Sequence, residues 1–395
     1  YIHTVADKDG NPLGTFSLLI TPPAVGSTVV TVQSTGNLAI NPSAQKQITA
    51  QMAIPSFAKY AAVIGEDVRF GAGTELYGSI HSNGGIRMDG VAHNLVTSSR
   101  ATYDDPDHSG GSEFGVHTHT TSTDPLPPAT PPARPDIFMA GRQFPVAPAD
   151  FAGLTQDLAS LKSLAQQTSG SYWGPSGSRG YEVVFKTNDV FDMYRVTSLT
   201  SPPNNCTNSQ SQTGWGTWSV AGRTLIASNR ALPKNGVIFT EDHVWVRGQI
   251  NTARVTVASG KFPENPSTQT SIIVNADLLY TNYTGTDVLS LVAQNNITIG
   301  MVSDTDLRID AALMAHNGRI GRYYYRTQCS PYHTRTRITT YGMIGSYARY
   351  GFAYTDGTGY SDRIIIYDPN LLYSPPPSFP LTADYYTPIF WNESQ

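Results

Sequence analysis

The stretch VIFTEDHVWVRGQINTARVTVAS (Val237–Ser259) sets three short apolar runs, VIF, VWV and VTV, between polar turns. Apolar starts recur through the second half of the chain at Val237, Val255, Ile272, Leu289 and Leu307, spaced by 18, 17, 17 and 18. A second register, Val244, Phe262, Leu278, Ile297 and Leu313, runs between them, spaced by 18, 16, 19 and 16. Short units at a fixed period mark a repeat fold, in which each unit buries its inner face only against its neighbours. A unit of about 17–18 residues, with two or three strands and no helix, predicts a coil of a β-solenoid. Asn275, Asn282, Asn295, Asn296 and Asn317 suit its corners, where positive φ is easiest. The plainer alternative is a meandering sandwich with accidental spacing.

Outward from this core, the segment 1–55 reads as antiparallel strands, Tyr1–Val5, Thr15–Ile20, Ser27–Gln33 and Gln45–Ala53. DKDGN (Asp7–Asn11) and STGN (Ser34–Asn37) are the turn signals between them. Asp7 and Asp9 lack the further ligands of a calcium loop, so a hairpin turn is expected. In Val68–Gly90 short β-runs alternate with glycine turns too closely for a sandwich. The periodic pattern then breaks. The proline run PLPPATPPARP (Pro125–Pro135) reads as a stiff connector. Phe151, Leu154, Leu158, Leu161 and Leu164 recur at helical spacing after Asp150, a candidate N-cap. Strands follow at Tyr181–Lys186 and Val190–Leu199.

The expected fold class is mainly β: an N-terminal antiparallel sheet plus a β-solenoid, interrupted by an α+β insertion. The expected division is 1–58 for the sheet, 59–102 for a first solenoid part, 103–230 for the insertion, 231–354 for the main solenoid and 355–395 for a tail. The tail, with PPPSFP and YYTPIFW, is expected to return onto the sheet or cap the solenoid, because an open end exposes strand edges.

Only 14% of the 395 residues are charged, and Gly (35), Pro (27) and Tyr (22) are abundant. This suits a secreted all-β protein better than a cytosolic helical enzyme. Net charge −4 does not mark a generic nucleic-acid binder. The two cysteines, Cys206 and Cys329, form no CxxC motif. They suggest one disulfide closing a long loop; the alternative is two unlinked thiols. No apolar run is long enough to span a membrane, and the chain opens at Tyr1 as if mid-protein. A targeting or anchoring segment ahead of Tyr1 is therefore expected.

Charge is unevenly placed. Ala311–Tyr354 holds six of the nineteen arginines, eight tyrosines and no Asp or Glu. Its centre is RIGRYYYRTQCSPYHTRTR (Arg319–Arg337). Guanidinium groups pair with phosphates and tyrosine rings stack on bases or sugars. The candidate polyanion-binding residues are Arg319, Arg322, Tyr323, Tyr324, Tyr325, Arg326, Tyr332, His333, Arg335 and Arg337. The competing reading packs the tyrosines on the solenoid under arginine caps. From Leu307 the next strand of that register falls near Ile338, so the segment Tyr323–Thr336 forms an excursion. If Cys329 pairs with Cys206, the NNCTN loop pins it.

Two other clusters carry side chains capable of chemistry. His108, His117 and His119, with Asp104, Asp105 and Asp107 nearby, could ligate a metal, and an HxH on a strand points both rings one way. The flanking Gly, Ser and Thr suggest a mobile polar loop instead, so no metal or other cofactor is expected. Asp304, Asp306 and Asp310 surround one turn, and glycosidases need two carboxyls about 5–9.5 Å apart. SDTD is a turn sequence and Arg308 is adjacent, so solvated carboxylates are expected. No activated nucleophile or nucleotide-binding glycine pattern is present, and no enzymatic activity is expected.

YGSIHSNGGIRMDG (Tyr77–Gly90) resembles the segment that follows the pilin-type sheet in PilX-like pilus assembly proteins. EDHVWVRGQINTARVTVAS (Glu241–Ser259), RIDAALMAHNGRIGRYYY (Arg308–Tyr325), CSPYHTRTRITTYGMI (Cys329–Ile344) and YDPNLLYSPPPSFP (Tyr367–Pro380) resemble large pilin-like proteins of candidate-phylum bacteria. The plan is also similar to that of a large competence-associated minor pilin, with a β-solenoid carried on a pilin sheet. The resemblance implies an extracellular, cell-surface subunit of a type IV pilus. It would bind DNA or a surface polysaccharide at the tip, in adhesion or natural competence. Pilin partners would be met through the N-terminal sheet and a helix preceding it, and the membrane only through that helix. The alternatives are a structural subunit without a ligand and a carbohydrate-active β-helix protein.

Overall fold

The computed structural model describes residues 1–23, 27–151, 154–382 and 385–394. Mainly β structure is organised in two larger sheets. The first is antiparallel and five-stranded: Ile2–Ala6, Pro12–Thr21, Val30–Leu38 and Asn41–Ala53 in chain order, then Thr387–Ser394 from the tail. The YYTPIFW segment thus returns to the N-terminal sheet as expected. DKDGN is a turn: the Asp7 carboxylate accepts from the main-chain N–H groups of Asp9 (2.9 Å) and Asn11 (2.8 Å). STGN lies inside the strand Val30–Leu38, and the chain reverses after it, before Asn41.

Strand alternation makes this sheet two-faced. Ile20, Val32, Ala50 and Trp391 stand opposite one another in one row. Leu19, Gln33, Thr49 and Asn392 form the row on the opposite face. The first row is apolar, yet Ile20 is 58% and Trp391 65% exposed.

The second sheet, with a separate three-stranded parallel sheet beside it, forms a stack of parallel coils with three faces. On the first face Ile238, Val257, Leu291, Leu313, Ile344, Ala62, Ile80 and Val96 pair in succession. On the second, Tyr181, Val244, Ile272, Ile297 and Ile320 pair in succession, and Val68, Ile86 and Val116 form a matching run. On the third, Phe185, Gly248, Leu278, Ile309, Thr340, Ile365, Leu76 and Ala92 do so. Nearly all these side chains are buried and form one apolar core. The strand Val244–Ile250 turns from the second face to the third at Gly248 (φ +109°), where a Cβ would sit 2.3 Å from the Phe185 carbonyl oxygen.

The coil length differs from the sequence reading. The coils that carry Ala62 to Ile80, and Ile80 to Val96, keep close to the expected period. In the second half the first-face steps, from Ile238 through Val257, Leu291 and Leu313 to Ile344, are uneven. The step from Val257 to Leu291 is nearly twice the one before it. The near-even period mixed faces: Val255 and Leu289 lie on the first, Ile272 on the second and Leu307 on the strand that continues into the third. An inward apolar triplet looks the same on any face, and corner loops vary in length.

Stack order also departs from chain order. Ile344 pairs with Ala62, so the early coils are laid on top of the late ones. The chain must then run back along the outside to start again at Ser171, beside Ile238. The helix Leu154–Ala165 lies on that return path. Phe151, Leu158, Leu161 and Ala165 pack with Val237, Phe239, Ala258, Val292, Met314 and Val63, outward residues of the first face. The sheet is therefore covered on both sides, which explains its nearly continuous hydrophobic runs. The helix start, with the Asp150 cap, adjoins residues 152–153, outside the described residues.

The stretch 103–230 is accordingly no self-contained module. Val116–His117 and Arg142–Gln143 extend one end of the stack, and Ser171–Trp173 and Gly180–Lys186 extend the other. Val190–Leu199 then runs antiparallel to Gly180–Lys186, and Val220–Ala231 antiparallel to Val190–Leu199, covering that end. The outermost strand has several register shifts, a device that blunts an open edge.

Candidate functional site: an arginine-lined groove

The segment Arg319–Arg337 leaves the stack after Ile320–Arg322 and rejoins it at Thr334–Ser346, matching the expected excursion. Leu307 pairs with Ile338, as the spacing indicates. A disulfide joins Cys206 and Cys329 across 123 positions. Around it Tyr323, Tyr325 and Met301 pack with Trp215 and Trp218.

This packing corrects four of the contact residues read from sequence. Arg322 is 1% exposed. Its guanidinium donates to the carbonyls of Gly300 (2.5 Å), Tyr332 (2.5 Å) and Met301 (3.1 Å), and lies 4.6 Å from the centre of the Tyr325 ring. Burial pushes its pKa down to about 10. Arg335, also buried, donates to Met301 O (2.9 Å) and Thr334 O (2.9 Å). Tyr323 and Tyr325 are buried, and the Tyr325 hydroxyl donates to Gly216 O at 2.7 Å. None of these four can meet a phosphate or a base without breaking the fold. A guanidinium bound to carbonyl oxygens is indistinguishable in sequence from one left free.

The others are at least partly accessible. Tyr324 donates to Asp356 (2.7 Å), and Tyr332 and His333 are half-buried. Arg326 donates to Gln328 (2.6 Å), and Arg337 lies 3.5 Å from Asp362. Arg319 donates to Arg322 O (2.8 Å) and Gly351 O (3.0 Å). Only Arg319 of the ten lines the principal groove.

That groove, of about 590 Å³, runs where the late coils meet the early ones. Arg69, Arg319, Arg349 and Arg363 line it, with Tyr354 and Thr355. Among the described residues Asp107 is its one acidic lining residue, and it pairs with Arg349. Arg69 is held by Asp89 at 3.0 Å. Arg363 donates to Tyr360 O (2.8 Å) and Ser361 O (2.6 Å). Among the described residues no carboxylate pairs with Arg319 or Arg363, so these two keep uncompensated charge, with the buried Arg322 and Arg335 nearby in the chain. The field of such a concave, mainly positive surface draws anions. Arg69 and Arg363 lie outside the sequence reading, which gives Arg349 no role. No local signal could add them, because only the stacking of Ala62 on Ile344 brings them together.

Asp304 sits exposed in the loop before the strand Asp306–Ala315 and accepts from Asp277 N (3.2 Å), and Asp306 is the exposed first residue of that strand. Asp310 is fully buried and accepts from Arg308 (2.8 Å), Tyr283 (2.6 Å) and Tyr280 N (3.0 Å). The three carboxylates do not converge. His108, His117, His119 and Asp105 do come together, at the end of the stack formed by the early coils. Asp107 points instead to the groove.

No protein-family model matches the chain, and no curated protein matches it. Among solved structures, it is similar to the crystal structure of the competence-associated pilin ComZ from Thermus thermophilus. The TM-score is 0.36 and the identity 12%, over 99% of this chain and 86% of that one.

Proposed function

We propose that the chain is the extracellular part of a pilin-like surface subunit, PilX-like in its early segment, and that it binds a polyanion along the arginine groove. DNA is the foremost candidate. The observation that carries the reading is the groove itself: four arginines against one carboxylate, in a chain of net charge −4. The open apolar row Ile20, Val32, Ala50 and Trp391 supports placement in an assembly, since a neighbouring pilus element would cover it. A disulfide supports an oxidising, extracellular setting.

The test is fluorescence anisotropy with labelled duplex and single-stranded DNA between about 50 and 200 mM salt. With Arg69 and Arg349 paired to carboxylates, phosphate contacts from Arg319 and Arg363 give a log–log salt slope of about −1.8, so duplex affinity falls by about 12-fold over that range. The variant Arg319→Gln/Arg363→Gln should reduce the slope by about 1.8. Absent or salt-independent binding rejects the proposal. A second reading, a structural subunit without a ligand, is favoured by the carbonyl-bound Arg322 and Arg335, and predicts no retention even at the lowest salt. The reading is of a binding surface rather than an enzyme; cleavage of any member of a polysaccharide panel would overturn that.

A further inference from the structure

At the early-coil end of the stack, the hairpin of Thr102–Tyr103 and Glu113–Phe114 folds beside the strand Val116–His117. Asp105 lies in the hairpin loop; His117 and His119 follow on the chain's return. One ligand atom from each of these three residues lies within 4.8 Å of the others, and the same holds for His108, Glu113 and His119. Ring centres are 5.0 Å apart for His117 and His119, and 4.3 Å for His108 and His119.

His117 is the telling residue. It is 1% exposed, and among the described residues neither of its ring nitrogens has a partner at hydrogen-bond distance. Its Nε2 is 3.6 Å from Asp105 Oδ2. A buried imidazole with one bare nitrogen and the other only at ion-pair distance from a carboxylate is costly unless something else engages it. The surroundings are organised as outer-shell support is organised around metals. Glu113, itself buried, holds His108 Nδ1 at 2.6 Å and accepts from Asp105 N at 3.1 Å. Asp105 also accepts from Asp107 N (2.9 Å), and His119 N donates to Asp89 (3.0 Å). Arg87, 3.2 Å from Asp105, opposes a cation, but Asp89 takes its Nε at 2.8 Å.

We propose that Asp105, His117 and His119 bind one divalent transition-metal ion of the zinc class, with His108 and Glu113 beside it. Two imidazoles and a carboxylate suit zinc, cobalt, nickel or copper rather than calcium or magnesium. Tetrahedral bonds of about 2.0–2.1 Å place ligand atoms about 3.4 Å apart, so closure needs shifts of about an ångström. The ion staples the hairpin loop to the second face and so fixes the last coil. Asp107, two positions from Asp105, then holds its place against Arg349 at the groove.

The test uses EDTA-treated, tag-free protein titrated with cobalt(II), read by visible absorption, with zinc as competitor. The expected result is a d–d band saturating at one ion per chain, displaced by zinc, and a rise in melting temperature with zinc but not with magnesium or calcium. His119→Gln, at a half-exposed position, abolishes the band; Glu113→Gln weakens binding about 10–100-fold; His93→Gln, whose ring stacks on Tyr77 and belongs to neither histidine group, leaves it unchanged. Far-UV circular dichroism establishes that each variant is folded. No cobalt band in the unmodified protein, or a full band in folded His119→Gln, overturns the proposal. DNA binding plays no part in this readout, so the site and the groove stand or fall separately.

Discussion

Arg322 tests whether the tyrosine–arginine segment is padding or grip. Replacing it with alanine removes the donor to three main-chain carbonyls, at Gly300, Met301 and Tyr332. A buried polar group left unsatisfied costs about 1–3 kcal/mol. Three carbonyls left bare multiply that cost, and release of the buried cation, which Arg335 repels, offsets part of the sum. A net loss of about 4 kcal/mol follows. Unfolding entropy of about 2.1 cal/mol/K per residue makes this a drop of about 5 °C if the chain melts as one unit. Differential scanning calorimetry of Arg322→Ala and Arg322→Met reads it, with DNA anisotropy alongside. Methionine keeps the stem but leaves the same carbonyls bare, so it should rescue little. An alanine variant that melts together with the parent yet loses DNA binding would refute the argument and return Arg322 to the ligand set.

Replacing Cys206 and Cys329 with serine frees a loop of 123 positions, worth about 5 kcal/mol in the chain-entropy model; the midpoint should fall and amide exchange should rise across Tyr323–His333, and an unchanged midpoint would show that the aromatic packing suffices. Burial pushes the Asp157 carboxyl up to about 6, against an ordinary value of about 3.9. The raised folded value means its penalty is absent below about pH 4, grows between about pH 4 and 6 and is complete above. Two pH units correspond to at most about 2.8 kcal/mol, reduced to about 1 kcal/mol for a half-exposed group. Asp157→Asn should therefore stabilise at about pH 7.5 and not at about pH 3.5; equal thermal shifts at both would contradict this assignment.

The sequence discloses what is periodic and local. Alternating strands, the parallel stack, the excursion after Arg322 and the cysteine pairing all follow from spacing and composition. The Leu307–Ile338 pairing was legible because a fixed register survives an inserted loop. Three faces were not, since Val255 and Ile272 carry the same kind of apolar triplet on different faces. Nor was the stacking order, because nothing near Ala62 or Ile344 announces that they pair. The YYY run has neither a helical nor a strand period, so the directions of Tyr323, Tyr324 and Tyr325 depend on Trp215 and Tyr354, both distant in the chain. The HxH spacing did place His117 and His119 on one side, but the partner Asp105 could be chosen only once the hairpin was seen.

Ala62 pairing with Ile344 also sets the order in which the molecule can be finished. Emerging N-terminus first, the chain makes the coils of Ala62–Val96 while every strand that will lie beneath them is still unmade. Their lower edge stays an open row of N–H and C=O groups until Ile344–Ser346 and Gly359–Tyr367 appear. Asn41–Ala53 waits longer still, for Thr387–Ser394. Closure thus depends on contacts between opposite ends of the chain, the kind that form slowly. A nascent or truncated chain lacking its last strands carries two unfilled edges that invite pairing with other chains. The C-terminal strands therefore act as the latch of the whole molecule, and both edges close only when they have been made.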